Sequence, residues 1–124
     1  MSRSTARRPL LGLIALVVVA AAAIQGAEAW SQARLGTQVA DAARPGDIRM
    51  IGSTTCTYCA QARRWFDAHR VPFSECVVEH DATCAEQYAA LMAPGTPVLI
   101  VRGRPLVGFS AQAVADALAA PRAQ

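Results

Sequence analysis

A chain of 124 residues has room for one modest domain. Its formal charge of +3 is carried ahead of Asp47, where Arg3, Arg7, Arg8, Arg34 and Arg44 face only Glu28 and Asp41; from Asp47 onward arginines and acids balance. The folding part is therefore near neutral, which argues against a nucleic-acid surface, and no internal repeat is visible. The chain has no lysine and is rich in alanine, a bias that suits a GC-rich bacterial genome.

Taken from the start, Arg3, Arg7 and Arg8 precede an unbroken apolar run from Leu10 to Ile24. Two readings of residues 1–30 stand side by side. One is a signal peptide, with Ala27-Glu28-Ala29 supplying the small residues of a cleavage site. The other is a retained membrane helix: about 20 mostly apolar residues span a bilayer, and Leu10 to Trp30 reaches that length with Trp30 at the interface. Both leave the arginines cytoplasmic and send the rest across. The expectation is an exported protein, either with a periplasmic domain anchored in a bacterial inner membrane or soluble in the periplasm after cleavage. Arg7-Arg8 also allows a twin-arginine signal. Residues 31–46 read as a polar, alanine-rich linker. Ala33, Leu35 and Val39 give partial helical spacing, so it can serve as a helical stalk, and Pro45-Gly46 stops it.

Residues 47–121 read as the folded domain. Ile48 to Ile51 is a short strand. Thr54 or Thr55 is placed to cap a helix in which Cys59, Ala62, Phe66 and His69 recur at helical spacing. Phe73 to Val78 is a second strand. Asp81 or Thr83 can cap a second helix, ending near Met92 before Pro94-Gly95. Pro97 to Val101 and Leu106 to Gly108 are strands around a turn at Gly103. Ser110 caps a last helix over Ala111 to Ala119, with Val114 and Leu118 inward. The helical crossover predicts that the first two strands are parallel and right-handed. The short turn predicts that the last two are antiparallel. The result is an α/β fold: a four-stranded mixed sheet with helices on both faces.

Cys56-Thr57-Tyr58-Cys59 follows a strand and opens a helix. Free N–H groups and the helix dipole favour negative charge there. Cys56 should therefore ionise readily and be the attacking sulfur. Cys59, one turn inward, is placed to resolve a mixed disulfide. A CxxC can also be half of a zinc site or a static disulfide, but four ligands at knuckle spacing are lacking. Thr96-Pro97 opens a strand; its peptide bond can be cis or trans. If it is cis, the Thr96 backbone is free to pair with an extended substrate. Cys76 and Cys84 can form a structural disulfide, worth about 2 to 3 kcal/mol by loop entropy. They can also stay buried thiols, or serve as a relay for electrons from Cys59. His69 and His80 carry no catalytic signal, and Arg63 and Arg64 read as a solvated helix face.

With these motifs in order, residues 48–119 resemble the glutaredoxins of the thioredoxin-fold superfamily. The carriers are Cys56-Thr57-Tyr58-Cys59, Gly95-Thr96-Pro97-Val98 and Val107-Gly108-Phe109. The resemblance implies a thioredoxin-like, glutaredoxin-type three-layer fold, a nucleophilic Cys56, a resolving Cys59 and a cis Pro97 packed against them. It also implies that Tyr58, Thr96, Pro97 and the Gly108-Phe109-Ser110 turn contact glutathione or another substrate. Departures are Thr57 for the usual proline, Ser53 and Thr54 where a lysine commonly stands, and Phe109-Ser110-Ala111 in place of a second glycine and an acid. A protein disulfide therefore fits at least as well as glutathione.

The reading is a thiol–disulfide oxidoreductase acting on protein disulfides or glutathione mixed disulfides outside the cytoplasm. No bound cofactor or metal is expected, glutathione can be a co-substrate, and the domain is expected to be monomeric. The alternative is a thiolate metal-binding module, a Cu(I) chaperone or iron–sulfur carrier, on the same fold.

Overall fold

The computed structural model describes residues 7–123, so Arg3 and the first part of the basic segment lie outside the described residues. The chain divides into two units between Ala33 and Arg34, and the first helix, α1 (Arg7–Ala42), runs through that division. In the first unit the apolar residues, among them Leu10, Ile14, Val17 and Ile24, are exposed. The helix is long and apolar enough to cross a membrane, a test that a signal sequence also passes.

The second unit begins inside the segment expected to be a linker. Residues 31–42 continue α1, and Leu35, Val39 and Ala43 follow one another at intervals of four, on one helix face. Val39 and Ala43 are buried in the core, with Leu35 and Ala40 packed against it. The stretch looks polar in sequence because that face is a narrow stripe between polar and alanine positions. The last turn of α1 is thus core rather than stalk.

Strand β1 (Ile48–Gly52) is one of the two inner strands of a sheet ordered β2-β1-β3-β4. It pairs in parallel with β2 (Ser74–Val77) and antiparallel with β3 (Val98–Val101), which pairs antiparallel with β4 (Arg104–Val107). Alternation sorts the side chains. Ile48, Met50, Leu99 and Val101 join α1, α2 (Thr57–Ala68) and α4 (Ala111–Ala119) in one cluster. Ile51, Val98 and Ile100 join α3 (Ala82–Leu91) in the other. Phe66 is fully buried and meets Phe73 and Phe109 at ring-centroid distances of 5.0 and 5.5 Å.

Boundaries differ from expectation by a residue or two, each for a local reason. Helix α2 is capped by Cys56, not by Thr54 or Thr55, because its Sγ accepts the Cys59 N–H. β4 starts at Arg104 because Arg102 and Gly103, with φ of 49° and 84°, form a two-residue turn with both residues left-handed, the form that matches strand twist. Pro105 is tolerated because β4 is an edge strand. Asp81 and Ser110 cap α3 and α4.

One buried polar group gathers four segments. Asp47, 2% exposed, accepts the Arg102 Nη2 at 3.1 Å and the Arg122 Nη2 at 2.8 Å. The Arg44 backbone N–H adds a hydrogen bond of 3.0 Å. Arg102 also donates to the carbonyls of Ala42 and Leu118. It thereby satisfies orphan acceptors where α1 and α4 end, where a cation suits the helix dipole. Burial pushes the Asp47 carboxyl up, but the Arg102 and Arg44 hydrogen bonds and the charges of Arg102 and Arg122 hold it below its ordinary range.

Two expectations follow from this packing. A Cβ on Gly36 would lie 1.8 Å from the His69 Cδ2, and that ring is held by stacking on Trp65 at 4.3 Å and by a 2.8 Å contact of Nδ1 with the Trp65 carbonyl. Gly36→Ala should therefore lower the denaturation midpoint, despite a helix-propensity gain of about 1 kcal/mol; in a His69→Ala background the same change should stabilise. Because the folded Asp47 pKa is depressed, its stabilisation is complete above the unfolded value and is lost as pH falls through the folded one. Asp47→Asn should cost on the order of 2 kcal/mol at pH 7 and flatten the acid limb of stability below about pH 4, as read by urea denaturation across pH.

Candidate active site

β1 ends at Gly52, and Ser53-Thr54-Thr55 turn the chain into α2. Cys56 is the N-cap, in extended conformation, and its Sγ accepts the Cys59 N–H at 3.0 Å. The sulfur thus occupies the place an oxygen takes in an ordinary cap, where unsatisfied N–H groups converge. Cys56 is half-buried, Cys59 is buried, and the two are joined as a disulfide with a Cα–Cα distance of 5.2 Å. Tyr58 between them is 66% exposed.

The other residues expected at the site gather at the same end of the sheet, because Ile51 pairs with Val98 and Val98 with Val107. The Thr96-Pro97 peptide is cis, and Pro97 is buried. Thr96 Oγ1 lies 3.4 Å from Ser53 Oγ, which joins the cis-proline loop to the reactive loop. The Gly108 N–H donates to the Pro97 carbonyl at 2.8 Å. Two side chains are committed elsewhere. The Phe109 ring packs on Trp65 and Phe66 at 5.6 and 5.5 Å, and the Ser110 hydroxyl accepts the Ala113 N–H at 3.3 Å as the α4 cap.

Two acids escaped the sequence reading. Glu75 on β2 pairs with Arg63 on α2 through two hydrogen bonds, so Arg63, while still partly exposed to solvent, is tied to the sheet, and its partner pushes its guanidinium pKa up. A Cβ on Gly52 would meet the Cys59 Sγ at 3.2 Å and the Glu75 Oε1 at 3.5 Å. Only glycine leaves both groups that close to the strand end. Glu79 accepts the Thr54 N–H at 3.2 Å. The register that places Glu75 beside Met50 is a tertiary fact, and no local pattern announces it. Arg64 is exposed, as expected.

Cys76 and Cys84 form a second disulfide, with Cα atoms 6.0 Å apart. It lies on the other side of the sheet: Cys59 belongs to the cluster with Met50 and Phe66, Cys76 and Cys84 to the cluster with Ile51 and Val98. The Arg49 Nη2 approaches the Cys76 Sγ at 3.4 Å, while Cys84 is fully buried.

This architecture has known counterparts. A point mutant of the thioredoxin-like protein BC3987 superposes with a TM-score of 0.54 at 19% identity, over 60% of this chain and 96% of that one. The fold is thioredoxin-like. A mutated buckwheat glutaredoxin superposes with a TM-score of 0.50 at 14% identity, over 72% and 92% of the two chains. The family model described as glutaredoxin matches residues 48–106, just under half of the chain, and supports the glutaredoxin family for this thioredoxin-like domain. No curated protein matches the sequence.

The two disulfides should differ in lability. An external thiol reaching half-exposed Cys76 would expel a Cys84 thiolate into an apolar cluster, and the reduced pair would gain no stabilised thiolate; attack at half-exposed Cys56 first expels Cys59, and a second thiol then releases Cys56 as a thiolate at a helix mouth, which favours the reduced form of that pair. Graded reductant followed by alkylation and peptide mass spectrometry should label Cys56 and Cys59 first, and Cys76 and Cys84 only near denaturing conditions. Simultaneous labelling of all four would contradict this order.

Proposed function

We propose that this chain is a glutaredoxin-like thiol–disulfide oxidoreductase that works through Cys56 and Cys59 outside the cytoplasm. The observation that carries the reading is the position of Cys56, whose sulfur caps a helix directly after β1 and accepts the Cys59 N–H at 3.0 Å. The glutaredoxin match over residues 48–106 supports the chemistry. The apolar first half of α1 supports export or anchoring.

The reaction is two exchanges in sequence. The Cys56 thiolate attacks one sulfur of a substrate disulfide; a Cys56–substrate bond forms and the substrate's other sulfur leaves as a thiolate. Cys59 then loses its proton to solvent, attacks the Cys56 Sγ and expels the second substrate thiolate. The substrate gains two electrons and the pair is left as the Cys56–Cys59 disulfide; an external thiol reductant resets it. Run backwards, the same steps oxidise a dithiol.

Cis Pro97 keeps the Thr96 backbone at the site, where an extended segment carrying the disulfide can pair with it. Tyr58, exposed on the first turn of α2, offers an aromatic face to the same segment. Gly108 lines the turn on the far side. The substrate is a protein disulfide or a glutathione mixed disulfide, with glutathione as co-substrate in the second case. No resident cofactor or metal is required. The Cys76–Cys84 bridge acts as a staple between β2 and α3.

Cys56→Ser should abolish reduction of a model mixed disulfide, a loss of at least about a thousandfold if the thiolate is the nucleophile. Cys59→Ser should instead accumulate the Cys56–substrate mixed disulfide, detectable by intact mass. Wild-type turnover in the Cys56→Ser variant would refute the assignment.

A further inference from the structure

Glu79 is exposed, yet its side chain is spent on the reactive loop. Its Oε2 accepts the N–H of Thr54 at 3.2 Å, two residues ahead of Cys56. The segment that carries it leaves β2 as a tight turn. The Val78 N–H donates to the Gly52 carbonyl at 3.0 Å, and the His80 and Asp81 N–H groups donate to the Val77 carbonyl at 3.0 and 3.2 Å. The Cys76–Cys84 disulfide closes that turn from both ends, and the Asp81 carboxylate is held by the Cys84 N–H at 3.1 Å. Glu79 therefore hangs from a fastened segment, beside the strand end where the reactive loop begins.

We infer that Glu79 is a positioning residue that sets the acidity of Cys56 and makes the Cys56–Cys59 pair more reducing. The amides at the mouth of α2 are the groups that would stabilise a thiolate. Glu79 takes one amide of the loop leading into that mouth and adds a negative charge on the loop that carries the sulfur. A like charge disfavours ionisation of the thiol. Whatever destabilises the thiolate destabilises the reduced pair, so the potential moves in the reducing direction.

The neighbouring charges do not take over this role. Arg63 and Glu75 engage each other on the β2 side of α2. Asp81 is committed to the α3 cap. His80 faces solvent, as does Tyr58 on the first turn of α2. The hydroxyls of Ser53 and Thr96 meet each other.

The inference rests on Cys56 being the nucleophile, and the test separates the two claims. The full-length chain and its Glu79→Gln variant are titrated by the pH dependence of thiolate absorbance and of the alkylation rate at Cys56. Both are then equilibrated with glutathione redox buffers. Glu86→Gln, an exposed acid of α3, serves as the control for a general change in charge. At low salt Glu79→Gln should raise the Cys56 acid dissociation constant about threefold, the size expected of an exposed charge. It should shift the redox equilibrium toward the dithiol by a similar factor. The difference should shrink at high salt, and Glu86→Gln should match wild type. A readily ionised wild-type Cys56 with no change in Glu79→Gln overturns the role of Glu79 alone. A wild-type Cys56 no more acidic than free cysteine overturns the nucleophile assignment and this inference with it.

Discussion

The domain depends on one buried carboxylate. Asp47 stands immediately ahead of β1, and through Arg102 it draws together the end of α1, the β3–β4 turn and the end of α4. A carboxylate that deep is tolerable only if it is paired and hydrogen-bonded. Here two guanidinium groups and a backbone N–H meet that condition. The five residues of β1 run from this knot to Gly52, where the reactive loop begins. The polar end fixes the strand, and the strand fixes the position from which Cys56 enters its helix. This buried charge thus lies at the opposite end of β1 from the CxxC pair, and among the described residues the CxxC end carries one ion pair, Arg63–Glu75.

The sheet also separates two sulfur chemistries. Strand alternation places Met50 and Glu75 on the face of α2, and Ile51 and Cys76 on the face of α3. One disulfide therefore lies at a helix mouth on one side, and the other in an apolar layer on the opposite side. An electron relay between them would need a path through the paired backbones of β1 and β2. The same alternation that builds the core keeps the two disulfides on opposite sides of the sheet.

Most of this architecture was legible in the sequence, and the failures are physical rather than accidental. The strand–CxxC–helix order, the crossover and the tight hairpin follow from local patterns and chain geometry, and all are present. The strand ends shifted where a rule acts through tertiary pairing: β4 begins at Arg104 because a two-residue turn at Arg102-Gly103 requires it. The end of α1 was read as a linker because Leu35, Val39 and Ala43 form too narrow a stripe to register as core. Asp47, Glu75 and Glu79 were invisible because an isolated acid carries no periodicity. Their meaning comes from partners 55, 12 and 25 residues away. At the site, the expected loops lie at one end of the sheet, and the side chains of Phe109 and Ser110 also take part in packing and in the α4 cap, which no local pattern of the turn announces for Phe109.

The features that define the reactive end are mostly backbone: the amides at the start of α2, the cis peptide before Pro97, and the Gly108 N–H on the Pro97 carbonyl. Backbone groups stay in place when side chains change, so Thr57 can stand where proline is usual and Phe109 where glycine is usual without disturbing the frame. Selectivity then falls to the few side chains that reach the reactive loop from elsewhere in the fold. Glu79 arrives from the β2–α3 turn, and Glu75 approaches Cys59 through the space that Gly52 leaves open. Both are acids, and among the described residues only Glu75 pairs with an arginine. The charge near the loop is thus set by tertiary pairing rather than by the loop's own sequence.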